Sequence, residues 1–377
     1  MEYWKKESEN DSSKSKLEAQ KLAWAPFAFQ AARILRDSGI LAEAEKGGET
    51  GKTLEELEKS TGEYFLQTDN LQTSAGQNIH YATYVLVDAG ISAGLLDEKD
   101  GKYFLTLTGY FILHDKITRV NMDFTHDVCY EGLFYLDEAL KSMKPSGLHK
   151  AFGDWETVYA ALAELPQDVR KSWFAFDHYF SDSSFPKALP IVFEDKPKKL
   201  LDIGGNTGKW ALKCVSYDKD VEVTIADLPG QLNDARKNIE QTDFAERVKY
   251  QEVNLLNHEV PFSGKFDAVW MSQFLDCFGP TDIMSIVSRA KNALNENGTM
   301  YIMETFVDLQ KYEISKYCLD MTSLYFTAIA NGKSRMYHSK DMIELVEAAG
   351  MEVYEVVERV GLFHSILKCK VKKSKNI

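Results

Sequence analysis

The sequence predicts an α/β protein in two parts: a mainly helical N-terminal domain, then a doubly wound sheet of seven strands. Three observations carry this. Beyond residue 199, seven short apolar segments alternate with helical stretches. The first of them, KLLDIGG, runs directly into a glycine turn and a helix start. Ahead of residue 116 the order is three helices followed by an alternating strand. At 377 residues and 44% hydrophobic, the chain is long enough to build two cores.

Residues 1–16 are polar and expected to be mobile. The stretch 17–36, LEAQKLAWAPFAFQAARILR, is apolar on too many sides for a surface helix and is expected to pack on two, with an interruption at Pro26. GKTLEELEKSTG (51–62) and QNIHYATYVLVDAGIS (77–92) read as helices, and KYFLTLTG (102–109) as a strand. That order over 17–115 is the pattern of a winged helix. A nucleic-acid role conflicts with the charge. The net charge is −13, and 77–92, where a recognition helix would lie, has no Lys or Arg. The domain is therefore expected to serve homodimerisation and to cover a substrate, with no nucleic-acid partner.

Residues 116–190 read as helical and aromatic-rich, a segment suited to building a pocket. KALPIVFEDKPKK (187–199) reads as a linker into a ligand-binding domain over 191–377. The strands expected there are KLLDIGG, EVTIADL, VKYQEVNL, FDAVWMS, GTMYIMETF, EVYEVVERV and HSILKCKV. The five cysteines are scattered without a CxxC pair, which suits free thiols in a reducing compartment. No apolar run reaches membrane-spanning length and the N-terminus lacks a signal-peptide core, so a cytoplasmic protein is expected. No cluster has metal-ligand spacing, and no metal is expected.

LLDIGGNTGKWAL (200–212) holds the most specific signal. A dinucleotide loop would read G-x-G-x-x-G and set a pyrophosphate on the helix N-terminus. Here the third residue is Asn206, and Asp202, two places before the first glycine, would repel phosphate. Asp202 instead suits a cationic head such as a sulfonium amino acid. Asp227, at the end of the next strand, is placed to take ribose hydroxyls. Together they point to S-adenosylmethionine; the bland alternative is a plain strand–helix turn.

These residues also carry a resemblance. LDIGGNTG is similar to the VDVGGGTG of class I S-adenosylmethionine-dependent methyltransferases. More narrowly, the chain after its tail resembles the small-molecule O-methyltransferases of the plant caffeic-acid and flavonoid type and their bacterial relatives. The resemblance implies a Rossmann-like catalytic domain behind a winged-helix dimerisation domain, and a small, aromatic substrate. It implies cofactor roles for Asp202, Gly204, Gly205 and Gly208. Through ADLPG it implies them for Asp227 and Leu228, and through VNLL, beside the adenine, for Asn254 and Leu255. FDHYFSDSS (176–184) resembles a family segment lining the active site, which implicates Phe176, Phe180 and Ser183; His178 within it and His126 are further pocket candidates.

The family's MKxxLHDW aligns with MSQFLDCF (271–278). Asp276 falls where the family keeps a histidine base, and Ser272 where it keeps a lysine near the adenine. Glu304, in YIMETF, matches one family glutamate; Ser334 stands where the other would fall. Three roles stay open for Asp276. It takes the proton of an aromatic hydroxyl, or it serves an amine or ring-carbon acceptor, or it caps the helix at 280–294. Thr281 and Asp282 are better placed for that cap. A different class of reading is a non-catalytic winged-helix regulator that senses the cofactor.

Overall fold

The computed structural model describes residues 9–66, 75–181 and 183–372. The chain divides into two compact units, Met1–Met122 and Asp123–Ile377.

In the first unit, helices Glu9–Ala23 and Ala25–Asp37 meet at Trp24, with Pro26 in the first turn of the second, where its missing N–H costs nothing. The expected polar tail is thus helical from Glu9, and 1–8 lie outside the described residues. Helices Ile40–Gly47, Leu54–Leu66 and Ala75–Ser92 follow. Thr53 and Glu56 cap Leu54–Leu66 reciprocally: Thr53 N–H donates to the Glu56 carboxylate, and Glu56 N–H donates to Thr53 Oγ1. An antiparallel hairpin, β1 (Leu96–Lys99) and β2 (Lys102–Leu105), turns at Asp100-Gly101 with both φ angles positive. The strand expected over 102–109 stops at Leu105. Thr106 Oγ1 accepts from Gly109 N–H and starts the helix Leu107–His114 instead. Leu35, Ile40, Leu41, Leu57, Val87 and Leu96 form the core of this unit.

In the second unit all seven expected strands form one sheet: β3 (Lys199–Ile203), β4 (Glu222–Asp227), β5 (Val248–Glu252), β6 (Phe266–Ser272), β7 (Leu294–Glu304), β8 (Met351–Val360) and β9 (His364–Val371). Their order is β5-β4-β3-β6-β7-β9-β8, and only β9 runs against its neighbours. The order reverses beside β3, which pairs in parallel with both β4 and β6. A cleft at the strand C-termini is expected at such a switch point. Alternation splits the sheet into two buried faces. Val269 and Met271 of β6 pack with helices Pro280–Ala293 and Ser339–Ala348. Ala268 and Trp270 pack with helices Phe185–Val192, Lys209–Tyr217 and Pro229–Ile239. The linker expected over 187–199 is therefore helical through Val192, because Phe185, Ala188, Leu189 and Val192 bury one stripe against that face. No helix among the described residues is long and apolar enough to cross a membrane.

Candidate active site

The C-termini of β3, β4, β6 and β7 deliver Asp202, Asp227, Ser272 and Glu304 to one end of the sheet. The turn after β3 brings the backbone close. Gly204 and Gly208 adopt φ of +73° and +78°, where a side chain would be strained. A Cβ on Gly204 would stand 2.1 Å from the Phe274 ring, and one on Gly205 2.6 Å from Asp202 Oδ2. Asn206 also has positive φ, which Asn tolerates. Its N–H donates to Asp227 Oδ2 at 2.9 Å, and its side-chain amide to Asp177 at 3.2 Å. Asp227 Oδ1 accepts from Leu228 N–H at 2.7 Å.

Two cavities open here. The larger encloses about 1230 Å³ out to solvent and takes in Asp227, Leu228, Asn254, Leu255, Phe176 and Asp276. The smaller, about 490 Å³, lies over the glycine turn and takes in Asp202, Gly204, Gly205, His178 and Ser272. Asp177, Gly204, Asn206 and Gln273 line both. Ser272 is thus on the glycine-turn side, away from Asn254 and Leu255, because β6 alternation gives it the face of Trp270.

Asp202 is buried, and its Oδ2 meets no hydrogen-bond donor among the described residues. Burial, then the charge of Asp227, pushes its pKa well above the usual carboxylate range. A bound cation would supply the missing partner, so the site fits a sulfonium amino acid. Burial raises Asp227 to about 6, its two backbone donors opposing the rise.

Asp276 lies on a one-turn 3-10 helix, Leu275–Cys277, and is 4% exposed. It does not cap the following helix, whose N-cap is Gly279; Asp282 there pairs with Lys333 at 3.2 Å and His258 at 2.9 Å. Burial raises Asp276 to about 6, opposed by the Cys277 thiol, whose Sγ is 3.4 Å from Oδ1. Glu304 is also buried. Its Oε1 accepts from the N–H groups of Phe274 (3.0 Å) and Leu275 (2.9 Å), which fixes the turn carrying Asp276. Its Oε2 has no hydrogen-bond partner among the described residues. Burial, then the charge of Asp276, pushes Glu304 well above its ordinary value. Burial thus disfavours the charged form of both acids, and the charge of Asp276 adds to the rise at Glu304.

Phe176 stacks on Phe124 at 4.0 Å, and with Trp173, Phe274, Phe278 and Tyr325 they wall the larger cavity. Phe180 does not line it; the ring packs between Phe176 and Phe363. His126 is also elsewhere, with Nδ1 2.7 Å from Asp127. Ser183 is exposed. Ser334 is buried against Asn331, and it is Asn331 that lines the cavity and ties its amide to the Cys277 carbonyl at 2.8 Å. Asp177, Tyr159 and Gln273 are site residues that the sequence reading did not find. Only the GGNTG spelling hinted at Asn206; the others come from elements that meet in space alone.

Comparison with known proteins agrees with this geometry. Residues 189–352 match the family model of an O-methyltransferase domain. The L-tyrosine C(3)-methyltransferase of Streptomyces lavendulae is 23% identical over 285 residues, 74% of this chain and 76% of that protein. The mitomycin 7-O-methyltransferase MmcR superposes with a TM-score of 0.68 at 14% identity, covering 97% of this chain and 100% of its own. The O-methyltransferase NcsB1 from neocarzinostatin biosynthesis, solved with S-adenosylmethionine and 2-hydroxy-5-methyl naphthoic acid, gives 0.64 at 16%, covering 91% and 95%. Residues 189–352 of this chain thus match an O-methyltransferase domain, within a fold shared along nearly the whole chain with methyltransferases of solved structure.

Proposed function

We propose that this enzyme methylates a hydroxyl of a small aromatic molecule and that Asp276 receives the hydroxyl proton. The observation that carries the reading is a buried carboxylate, raised to about 6, in the aromatic wall of the cavity that also holds Asp227. S-adenosylmethionine, when bound, supplies a methyl group on a sulfonium. Asp202 would face its cationic amino-acid end and Asp227 its ribose, with Leu228, Asn254 and Leu255 around the adenine. The Phe124–Phe176 stack and Phe274 would hold a flat ring.

The proton is the difficult part. A phenol titrates near 10, about six units above a free Asp, or roughly 8 kcal/mol if full ionisation came first. Raising Asp276 to about 6 removes about two of those units, roughly 3 kcal/mol. Asp276 takes the proton as the oxygen gains the methyl group. Glu304 holds the turn that carries Asp276 through two backbone N–H groups. Alignment in a dry site supplies further rate.

A second reading has a specific observation behind it. The Streptomyces relative is named for methylation at a tyrosine ring carbon. In that chemistry Asp276 would ionise the hydroxyl to activate the ring, and the ring proton would leave after the carbon–carbon bond forms. Incubation with S-adenosylmethionine and a panel of phenols, with fragmentation mass spectrometry of the products, separates the two. Methyl loss from oxygen supports the first, a ring-retained methyl the second. Methylation of amines alone would overturn both.

A homodimer through the first unit is part of the proposal, supported by the exposed Leu22, Trp24 and Phe27 on adjoining helices. Light scattering at twice the 42.8 kDa chain mass is the expected result. Five free thiols suit a cytoplasmic enzyme.

A further inference from the structure

Among the described residues, Lys333 is the one Lys, Arg or His that lines the larger cavity. Its ammonium stands 3.2 Å from Asp282 Oδ2, and Asp282 lines the same cavity. The bridge is unequal. The Asp282 side chain is 11% exposed, and its other oxygen meets His258 Nε2 at 2.9 Å. The Lys333 side chain is 41% exposed, and Asp282 is its one ion-pair partner among the described residues. A pair as open to water as this is worth about 0–1 kcal/mol. The four-carbon stem of a lysine lets the ammonium turn to another anion at little cost. Asp282 would keep His258 when the lysine leaves.

The backbone under Lys333 is fixed. Asn331 Oδ1 accepts from the N–H groups of Lys333 at 2.9 Å and Ser334 at 3.0 Å. The Asn331 amide donates to the Cys277 carbonyl at 2.8 Å, so the turn that carries Lys333 is tied to the turn that carries Asp276. Gly332 between them has φ of +86°, and a Cβ there would stand 2.5 Å from the Lys144 backbone. A swinging cation thus sits on an anchored base beside the proposed proton acceptor. The other acids of the wall have donors of their own: Asp177 the Asn206 amide, and Asp227 two backbone N–H groups. A carboxylate entering a cavity with four aspartates needs a cation to offset their repulsion, and Lys333 is the one the wall supplies.

We propose that Lys333 exchanges Asp282 for a carboxylate on the acceptor, so that this enzyme takes phenolic acids in preference to neutral phenols or phenolic amines, resting on the phenol methylation proposed above. The acceptor is then held at three places: its hydroxyl at Asp276, its ring on the Phe124–Phe176 stack, and its carboxylate at Lys333.

The test gives the intact protein S-adenosylmethionine and matched acceptors: the isomeric hydroxybenzoates and hydroxynaphthoates, the methyl ester of each, and the isomeric hydroxybenzylamines. The acids should exceed their esters about ten-fold or more in kcat/KM, chiefly through KM, the worth of one hydrogen bond to a charged group. Lys333→Met should erase that preference, and Lys333→Arg should keep it. Asp282→Asn removes the competing carboxylate and should lower KM for the acids about three-fold, the release of a pair worth under about 1 kcal/mol. A bridge that only holds structure predicts otherwise: Lys333→Met and Asp282→Asn would both lower the melting temperature and reduce acid and ester turnover alike, which overturns the proposal. If Lys333→Met does not fold, the wild-type comparison of acid with ester decides. Equal kcat/KM for acids and esters, or a preference for the amines, overturns the proposal and leaves phenol methylation standing. No methylation of any of these phenols removes phenol methylation itself, and the proposal with it.

Discussion

The two ends of the site solve opposite problems. Over the glycine turn, backbone and small residues make space in front of Asp202, whose Oδ2 has no hydrogen-bond partner among the described residues. At Asp276 a carboxylate is crowded by aromatic rings, a thiol and a second acid, and its partner Glu304 is held by two backbone donors. The first end is open space in front of a buried acid. The second is a pair of buried acids in a packed wall, both raised by burial.

Breaking each end separately should show this. The largest effect is expected at Asp276→Asn, which keeps the shape and loses the proton acceptor. The kcat should fall about 10²–10⁴-fold, as for loss of a general base, while calorimetry shows S-adenosylhomocysteine affinity within about two-fold. Asp202→Asn should reverse the pattern: affinity for S-adenosylhomocysteine falls about 10–100-fold, and kcat at saturation changes little. A kcat loss without an affinity loss at Asp202 would dissolve the distinction between the ends.

Gly204→Ala should cost about 1–3 kcal/mol of stability in a denaturant melt, since its Cβ would fall on the Phe274 ring. The smallest effect is on pH dependence of the free protein. Asp227 and Asp276 titrate at about 6 when folded, against about 3.9 in an unfolded chain. A raised carboxyl holds its proton more tightly in the folded state, so its contribution is complete below about 4 and is lost as pH rises through about 6. The melting temperature without ligand should therefore be a few degrees higher at about pH 5.5 than at about pH 7.5. The kcat should move the other way, falling as pH drops through about 6.

The cofactor end was largely legible in the sequence. Strand ends and glycines are local features, so Asp202, Asp227 and the seven strands could be read from period and spacing. Asp276 could be located by alignment, but not its raised pKa, which comes from burial that only the folded chain supplies. Tyr159, Asp177 and Gln273 had no linear signal at all. Phe180 and His126 were misjudged for the same reason: in an aromatic-rich helical segment, spacing says that a ring is buried but not which neighbour it faces. Trp270 read simply as core, and its ring is core.

The ring of Phe274 occupies the space that Gly204 leaves, and the N–H of the same residue is gripped by Glu304. Donor loop and acceptor turn are thus keyed to each other through a single residue. Changing 274 alone would loosen the glycine turn, and enlarging 204 alone would push on the turn that carries Asp276. A library meant to retarget this enzyme has to vary 204, 274 and 304 as one set.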